Sequence, residues 1–207
     1  MKRNLIFSAS LAFLICSLLV FPLKLMASDQ EAVFAGGCFW CLEHDLEVLD
    51  GVSSVESGYT GGRSLLPTYR QHTGHQEAVR VKFDPEKVSY RSLLRSFWRN
   101  IDPFDGQGQF CDRGDSYRPM IFVGDDLQAD QAEMSFKSAA KELSTETDNL
   151  KVKLRPLNKF WIAEEYHQDF AVRNNLKYSF YRFNCGRDRR LEEVWGEEAR
   201  SKNAWRE

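Results

Sequence analysis

Gly36-Gly37-Cys38-Phe39-Trp40-Cys41 narrows the folds open to this chain more than any other segment. It follows the apolar run Ala32-Val33-Phe34-Ala35 and precedes Phe39, Leu42, Leu46 and Leu49, which recur at helical spacing with Glu43, Asp45 and Glu47 between them. Strand, glycine turn and helix start place Cys38 in a first helical turn. Unpaired backbone N–H groups and the positive end of the helix dipole stabilise a thiolate there, so the Cys38 pKa is expected to fall. This pattern describes a nucleophile. Cys41 lies one turn further on the same face, where it could pair with Cys38 or be an ordinary half-buried thiol.

The N-terminus has to be set aside before the fold is read. Lys2 and Arg3 precede the apolar run from Leu5 to Leu23, and Leu25-Met26-Ala27 ends on a small residue suited to cleavage. Residues 1–27 are expected to be a secretory signal, with an uncleaved membrane anchor as the alternative. Cleavage removes Lys2, Arg3 and Lys24 and no acid, taking the formal charge from -2 to -5. A mildly acidic domain has no evident claim on nucleic acid or anionic lipid. The rest, 28–207, is long enough to build one hydrophobic core, and no repeat or low-complexity linker divides it. Cys16 leaves with the signal. Four cysteines remain, and a domain of this size does not need them as structural bridges.

Along the chain, Val52 to Tyr59 reads as a strand that ends in the turn Gly58-Tyr59-Thr60-Gly61-Gly62. A polar loop runs to Gly74. Val79, Val81 and Phe83 then alternate with Arg80 and Lys82, and the same parity puts Glu77 on the apolar face. A buried carboxyl is expected to stay protonated near neutrality and to serve as a proton donor, unless Glu77 merely opens the strand in solvent or pairs with Arg80. Ser89 can cap a helix bearing Leu93, Leu94, Phe97 and Trp98, and Asp102 to Tyr117 is a long polar loop. Met120 to Val123 is a strand, and Asp125 opens a helix with Ala129, Ala132, Phe136, Ala140 and Leu143 inward. Lys151 to Leu154 is a further strand, 164–174 is helical, and an aromatic, basic stretch leads to Cys185-Gly186. A charged helix covers roughly 188–200.

Phe39 and Trp40 flank the nucleophile as candidate pocket walls, and Tyr59, Tyr69 and Tyr117 sit in or beside the two long loops. His44, His72, His75 and His167 are read as surface or structural residues, since no third group orients any of them. No metal site is expected, because Cys38 and Cys41 have no matching second pair.

Taken together, Gly36 to Cys41, Gly58-Tyr59-Thr60-Gly61-Gly62, Pro67-Thr68-Tyr69, Thr73 to Val79, Phe97-Trp98, Asp112 to Tyr117, Ala163 to Gln168 and Trp195-Gly196 closely resemble the A-type methionine sulfoxide reductases, peptide-methionine (S)-S-oxide reductases. The resemblance implies an α+β two-layer sandwich, a mixed sheet with packed helices on a ferredoxin-like core. It implies Cys38 as nucleophile, Glu77 as acid, Tyr69 and Tyr117 on the sulfoxide oxygen, Phe39 and Trp40 around the methyl group, and Asp112 in substrate binding. Many relatives have glycine at the position of Cys41 and recruit a C-terminal cysteine to resolve the sulfenic acid. Cys185 fits that role on a tail free to swing in, with Cys41 as the alternative and Cys111, beside Asp112, as a third candidate. The loop between Tyr69 and Gly74 is shorter than in many relatives.

The implied activity is the repair of oxidised methionine, free or in proteins, without a cofactor. An external dithiol such as thioredoxin or a thioredoxin-like protein restores the enzyme, and an exported, periplasmic monomer is expected. A general thiol-disulfide oxidoreductase built on Cys38 and Cys41, or a cysteine-based metal module, are the competing readings.

Overall fold

The computed structural model describes residues 29–205; the expected signal at 1–27, with Cys16, lies outside the described residues. The chain runs β1 (Gln30–Ala35), α1 (Phe39–Glu47), β2 (Val52–Thr60), β3 (Gln76–Phe83), α2 (Tyr90–Trp98), β4 (Gly108–Gln109), β5 (Asp112–Arg113) and β6 (Met120–Val123). It continues through α3 (Asp126–Glu142), β7 (Lys153–Pro156), β8 (Phe160–Ile162), α4 (Phe170–Arg173), α5 (Asn175–Asn184) and α6 (Arg187–Trp195). Six strands form one sheet in the order β7-β6-β1-β3-β2-β8, antiparallel at every junction except the parallel pair of β6 and β7. This mixed sheet with packed helices is the α+β fold expected.

Alternation along each strand divides the sheet's two faces. Phe34, Val79, Val81, Phe83 and Ile121 point to the side where α1, α2 and α3 pack, and Phe97, Trp98 and Leu42 close over them with no exposed surface. Val33, Ala35, Ala78, Met120 and Phe122 form a smaller cluster of their own. Burying each large side chain contributes about 1.5–3 kcal/mol, so the larger cluster dominates the stability of the domain. Ser89 caps α2 by accepting the Ser92 N–H at 3.1 Å, and Asp125 caps α3 by accepting from Gln128 at 2.8 Å.

The C-terminal third departs from the sequence pattern. The strand expected at Lys151 to Leu154 lies two residues later as β7, and β8 was not foreseen. The helix expected over 164–174 is broken into a 3₁₀ turn, Glu165–His167, and the short α4, because Asp169 between them is left-handed at φ 52°. Tyr178 to Arg182, read as an aromatic, basic stretch before a mobile cysteine, lies within α5, and Cys185 is the C-cap of that helix. The buried positions of α5 are Tyr178 and Arg182, while Leu176, Phe180 and Phe183 face out. Its apolar stripe therefore does not mark its packed side.

Replacing Phe34 by Ala is expected to lower unfolding stability by about 3–5 kcal/mol. Ser89→Ala, which removes only a cap, should cost about 1 kcal/mol. Urea unfolding midpoints of the two variants, at unchanged slope, check the order.

Candidate active site

Cys38 is the N-cap of α1, and its side chain makes no capping bond, so the first N–H groups of the helix need other partners. Glu77 supplies one: Phe39 N–H donates to its Oε2 at 3.2 Å. The register makes this possible, because β3 pairs Glu77 with Tyr59 of β2 on the helix-bearing face, beneath the start of α1. Gly37 turns the chain at φ 86°, and a Cβ there would lie 2.7 Å from the Cβ of Gln109. Only glycine fits between β1 and α1 at this angle.

Glu77 is 2% exposed and not paired with Arg80, whose guanidinium binds Glu56 instead. Burial pushes the Glu77 carboxyl up to about 8, against the Phe39 N–H and the Tyr117 hydroxyl and with the help of Asp112. Strand parity placed it correctly. The expected fall in the Cys38 pKa is not observed. Burial raises it well above the ordinary thiol value, Cys41 and Glu77 add to the rise, and the Tyr181 hydroxyl opposes it. Desolvation outweighs the helix terminus because Cys38 is 6% exposed and the Glu77 carboxyl adds to the rise.

The loop expected between Asp102 and Tyr117 is ordered by Gln109, which is fully buried, accepts the Asp102 N–H at 2.8 Å and donates back to the Asp102 carbonyl at 2.8 Å. This brings the β4–β5 hairpin over Cys38. Asp112 of β5 accepts a hydrogen bond from the Tyr181 hydroxyl, and the Cys38 backbone N–H helps hold its charge against burial. Tyr117 lies in the 3₁₀ turn Asp115–Tyr117. From the other side, the Tyr69 N–H donates to Glu164 at 2.9 Å, and Glu164 also accepts from the Tyr59 hydroxyl at 3.0 Å. Tyr59 is thus a buried support.

Cys38, Phe39, Trp40, Tyr69, Glu77, Asp112 and Tyr117 line one pocket of about 60 Å³, as foreseen, whereas Cys185 and Cys41, also foreseen for the site, do not line it. Tyr181 is an eighth wall that sequence reasoning missed, though it stands one helical turn before Cys185. His167 was also missed. It is 2% exposed, accepts from the Trp40 indole N–H at 3.1 Å, and packs 5.0 Å from Phe39 and 4.6 Å from Tyr69. Its Nδ1 is the acceptor, so the neutral ring is protonated on Nε2, and burial lowers its pKa. Trp40 is further fixed by stacking on Phe170, with ring centroids 3.7 Å apart.

Cys185 and Cys111 are joined in a disulfide, while Cys38 and Cys41 are free and buried. The bridge lies against the site: Cys185 Sγ is 4.0 Å from the Asp112 carboxylate. Among the described residues, the one trio of His, Cys, Asp or Glu side chains close enough to share a metal ion is Cys111, Asp112 and Cys185, and its two sulfurs are bonded to each other.

The family model described as peptide methionine sulfoxide reductase matches residues 30–199, which carry all of these groups. The chain belongs to that family. Peptide methionine sulfoxide reductase MsrA 2 of Caulobacter vibrioides is 51% identical over 201 residues, covering 95% of this chain and 100% of that protein. A protein of the same name from Rhizobium meliloti is 45% identical, covering 90% of this chain and 93% of its own length. Among solved structures, methionine sulfoxide reductase A of Corynebacterium diphtheriae superposes with a TM-score of 0.67 at 27% identity, covering 72% of this chain and 76% of that one. Mxr1 of Saccharomyces cerevisiae, which has also been solved in complex with Trx2, in its reduced form gives 0.66 at 25% identity, with 72% and 87% covered. The protein is an A-type, thiol-dependent methionine sulfoxide reductase.

Glu77 also links stability to pH. Its carboxyl is raised in the fold from an ordinary 4.5 to about 8, so the stability tied to the neutral form is complete below about 4.5 and is lost as pH rises through about 8. Glu77→Gln should therefore gain on the wild type in urea midpoint as pH rises from 5 to 9. A constant difference across that range would contradict the assignment.

Proposed function

We propose that this enzyme reduces the S epimer of methionine sulfoxide, free or in exported proteins, with Cys38 as nucleophile and Glu77 as general acid. The observation that carries this reading is the buried, neutral carboxyl beside a buried thiol at the head of an aromatic pocket. Phe39 and Trp40 receive the S-methyl group, and the Tyr69 and Tyr117 hydroxyls donate to the sulfoxide oxygen. Asp112 helps bind the substrate. Cys38 sulfur attacks the sulfoxide sulfur while Glu77 protonates the oxygen, which avoids expulsion of an oxide ion. The hydroxyl so formed passes to the Cys38 sulfur as the new S–S bond breaks, the thiol proton returns to Glu77, methionine leaves, and Cys38 is left as a sulfenic acid.

Cys185 then attacks that sulfenic acid, releasing water and forming a Cys38–Cys185 disulfide. Cys111 attacks Cys185 in turn, frees Cys38 as a thiol and leaves the Cys111–Cys185 bond present in the structure. Two electrons from an external dithiol reopen it, so no bound cofactor is required. A thioredoxin-like protein is the proposed donor, a reading supported by the complex of yeast Mxr1 with Trx2. Residues 28–207 act as a single domain, a monomer, released into the periplasm by cleavage after Ala27. The basic start, the apolar run and Ala27 support this.

With dithiothreitol, the protein lacking 1–27 should reduce the S epimer of N-acetyl-methionine sulfoxide and leave the R epimer untouched. Disulfide exchange without S-epimer reduction would sink the proposal. Cys38→Ser should abolish the reaction, and Glu77→Gln should slow it roughly 10²–10⁴-fold. Wild-type kcat should fall as pH rises through about 8, where Glu77 loses its proton. Cys185→Ser should release one equivalent of methionine and then stall with thioredoxin as donor, whereas Cys111→Ser should accumulate the Cys38–Cys185 bond, visible by peptide mass mapping. N-terminal sequencing of exported protein checks the cleavage point.

A further inference from the structure

Tyr181 is one of the eight side chains that line the pocket above Cys38. Its ring meets Trp40 edge-on at 6.0 Å, its hydroxyl donates to Asp112, and it forms part of the wall of a pocket of about 60 Å³. Pockets that take small organic ligands are roughly 300–1,000 Å³, and a single water occupies about 30 Å³. In the state described, the pocket is too small for a methionine sulfoxide side chain.

Tyr181 is not free to leave. It lies in the last turn of α5, and its carbonyl accepts the Cys185 N–H at 2.9 Å. Cys185 is bonded to Cys111, and Cys111 is followed by Asp112, which holds the Tyr181 hydroxyl. The helix turn, the disulfide and the β5 hairpin thus close a ring of contacts around this one tyrosine. Arg182, next in sequence, adds a bidentate bond to Asp45 of α1 at 2.9 and 3.0 Å. Among these restraints, only the disulfide changes with redox state.

We propose that Tyr181 is a redox-controlled plug: the Cys111–Cys185 disulfide holds it in the sulfoxide pocket, and reduction of that bond frees the end of α5 and opens the pocket. This rests on the recycling scheme proposed above and supplies its order. A sulfoxide admitted while Cys185 is still bonded to Cys111 would oxidise Cys38 to a sulfenic acid while the proposed resolving thiol is unavailable, open to further oxidation. The plug keeps substrate out until the resolving thiol is restored. The motion that withdraws Tyr181 is also the one that lets Cys185 approach Cys38.

The test is a first turnover without reductant, since methionine release needs only Cys38. Wild-type protein is prepared in two forms, fully reduced and with the Cys111–Cys185 bond closed and Cys38 free, each verified by thiol count and peptide mass. Each is mixed with excess N-acetyl-methionine S-sulfoxide and methionine formation is timed. The disulfide form should be at least about tenfold slower, corresponding to a pocket open less than about a tenth of the time. Tyr181→Ala should bring its disulfide form to within about twofold of its reduced form, while Tyr181→Phe, which keeps the ring, should retain most of the difference. Circular dichroism checks that each variant is folded, and the wild-type comparison needs no variant. Equal rates for the two wild-type forms, or a Tyr181→Ala disulfide form that stays slow, would overturn the plug. No methionine from the reduced wild type would instead remove the functional reading beneath it.

Discussion

The hydrogen bond from the Phe39 N–H to Glu77 ties the start of α1 to the central strand β3, and the rest of the site is arranged about it. A helix N-terminus buried against a sheet needs acceptors for its first N–H groups, and Cys38 at the N-cap provides none from its side chain. A carboxyl from the neighbouring strand meets that need. Because it is buried, it does so in the neutral form, and the group that stabilises the helix start is left carrying a proton beside a thiol. Structural and chemical requirements converge on one side chain.

Burial then decides the electrostatics of the whole pocket. It raises Glu77, Cys38 and Asp112 together, although Asp112 is opposed by Tyr181, Arg187 and the Cys38 N–H. Glu77 and Cys38 both favour the neutral state, enclosed by Phe39, Trp40 and the aromatic neighbours Phe170 and His167. Such a setting suits the transfer of an oxygen from a neutral sulfoxide, in which the developing charge is quenched by a proton and not by a fixed cation. The neutral His167 fits the same logic, as an acceptor that fixes the Trp40 indole without introducing charge.

The C-terminal third supplies one wall of the pocket and one half of the disulfide. α5 presents Tyr178 and Arg182 inward, Tyr181 to the pocket and Cys185 to the bridge, so one short helix serves packing, occlusion and redox chemistry from different sides. α6, immediately after it, is anchored to the core. Arg187, 1% exposed, donates to the Asn100 carbonyl at 2.6 Å and lies over Phe110 at 4.5 Å, while the Trp195 indole donates to the Ile101 carbonyl. Any motion of α5 is therefore bounded on its C-terminal side by a segment locked in place.

Read from residue order alone, the strands from 30 to 83, the three helices that cover them, and the apolar face on which Glu77 lies were all legible, because apolar periodicity and strand parity are local properties that burial enforces residue by residue; that Glu77 serves Cys38 came from the resemblance of motifs. The glycine turn and the Ser89 and Asp125 caps were legible for the same reason. Resemblance of motifs named the seven expected pocket residues but could not show that they meet. Contacts between distant segments had to come from the folded chain: that Cys185 ends a helix and bonds Cys111, that His167 orients Trp40, that Tyr181 lines the pocket, and that desolvation overrides the helix terminus at Cys38. α5 hid its role because its buried side carries a tyrosine and an arginine while leucine and phenylalanine face out, the reverse of the pattern by which an amphipathic helix is read. Where polar side chains make the packing and covalent chemistry fixes the geometry, one-dimensional periodicity carries no trace of the result.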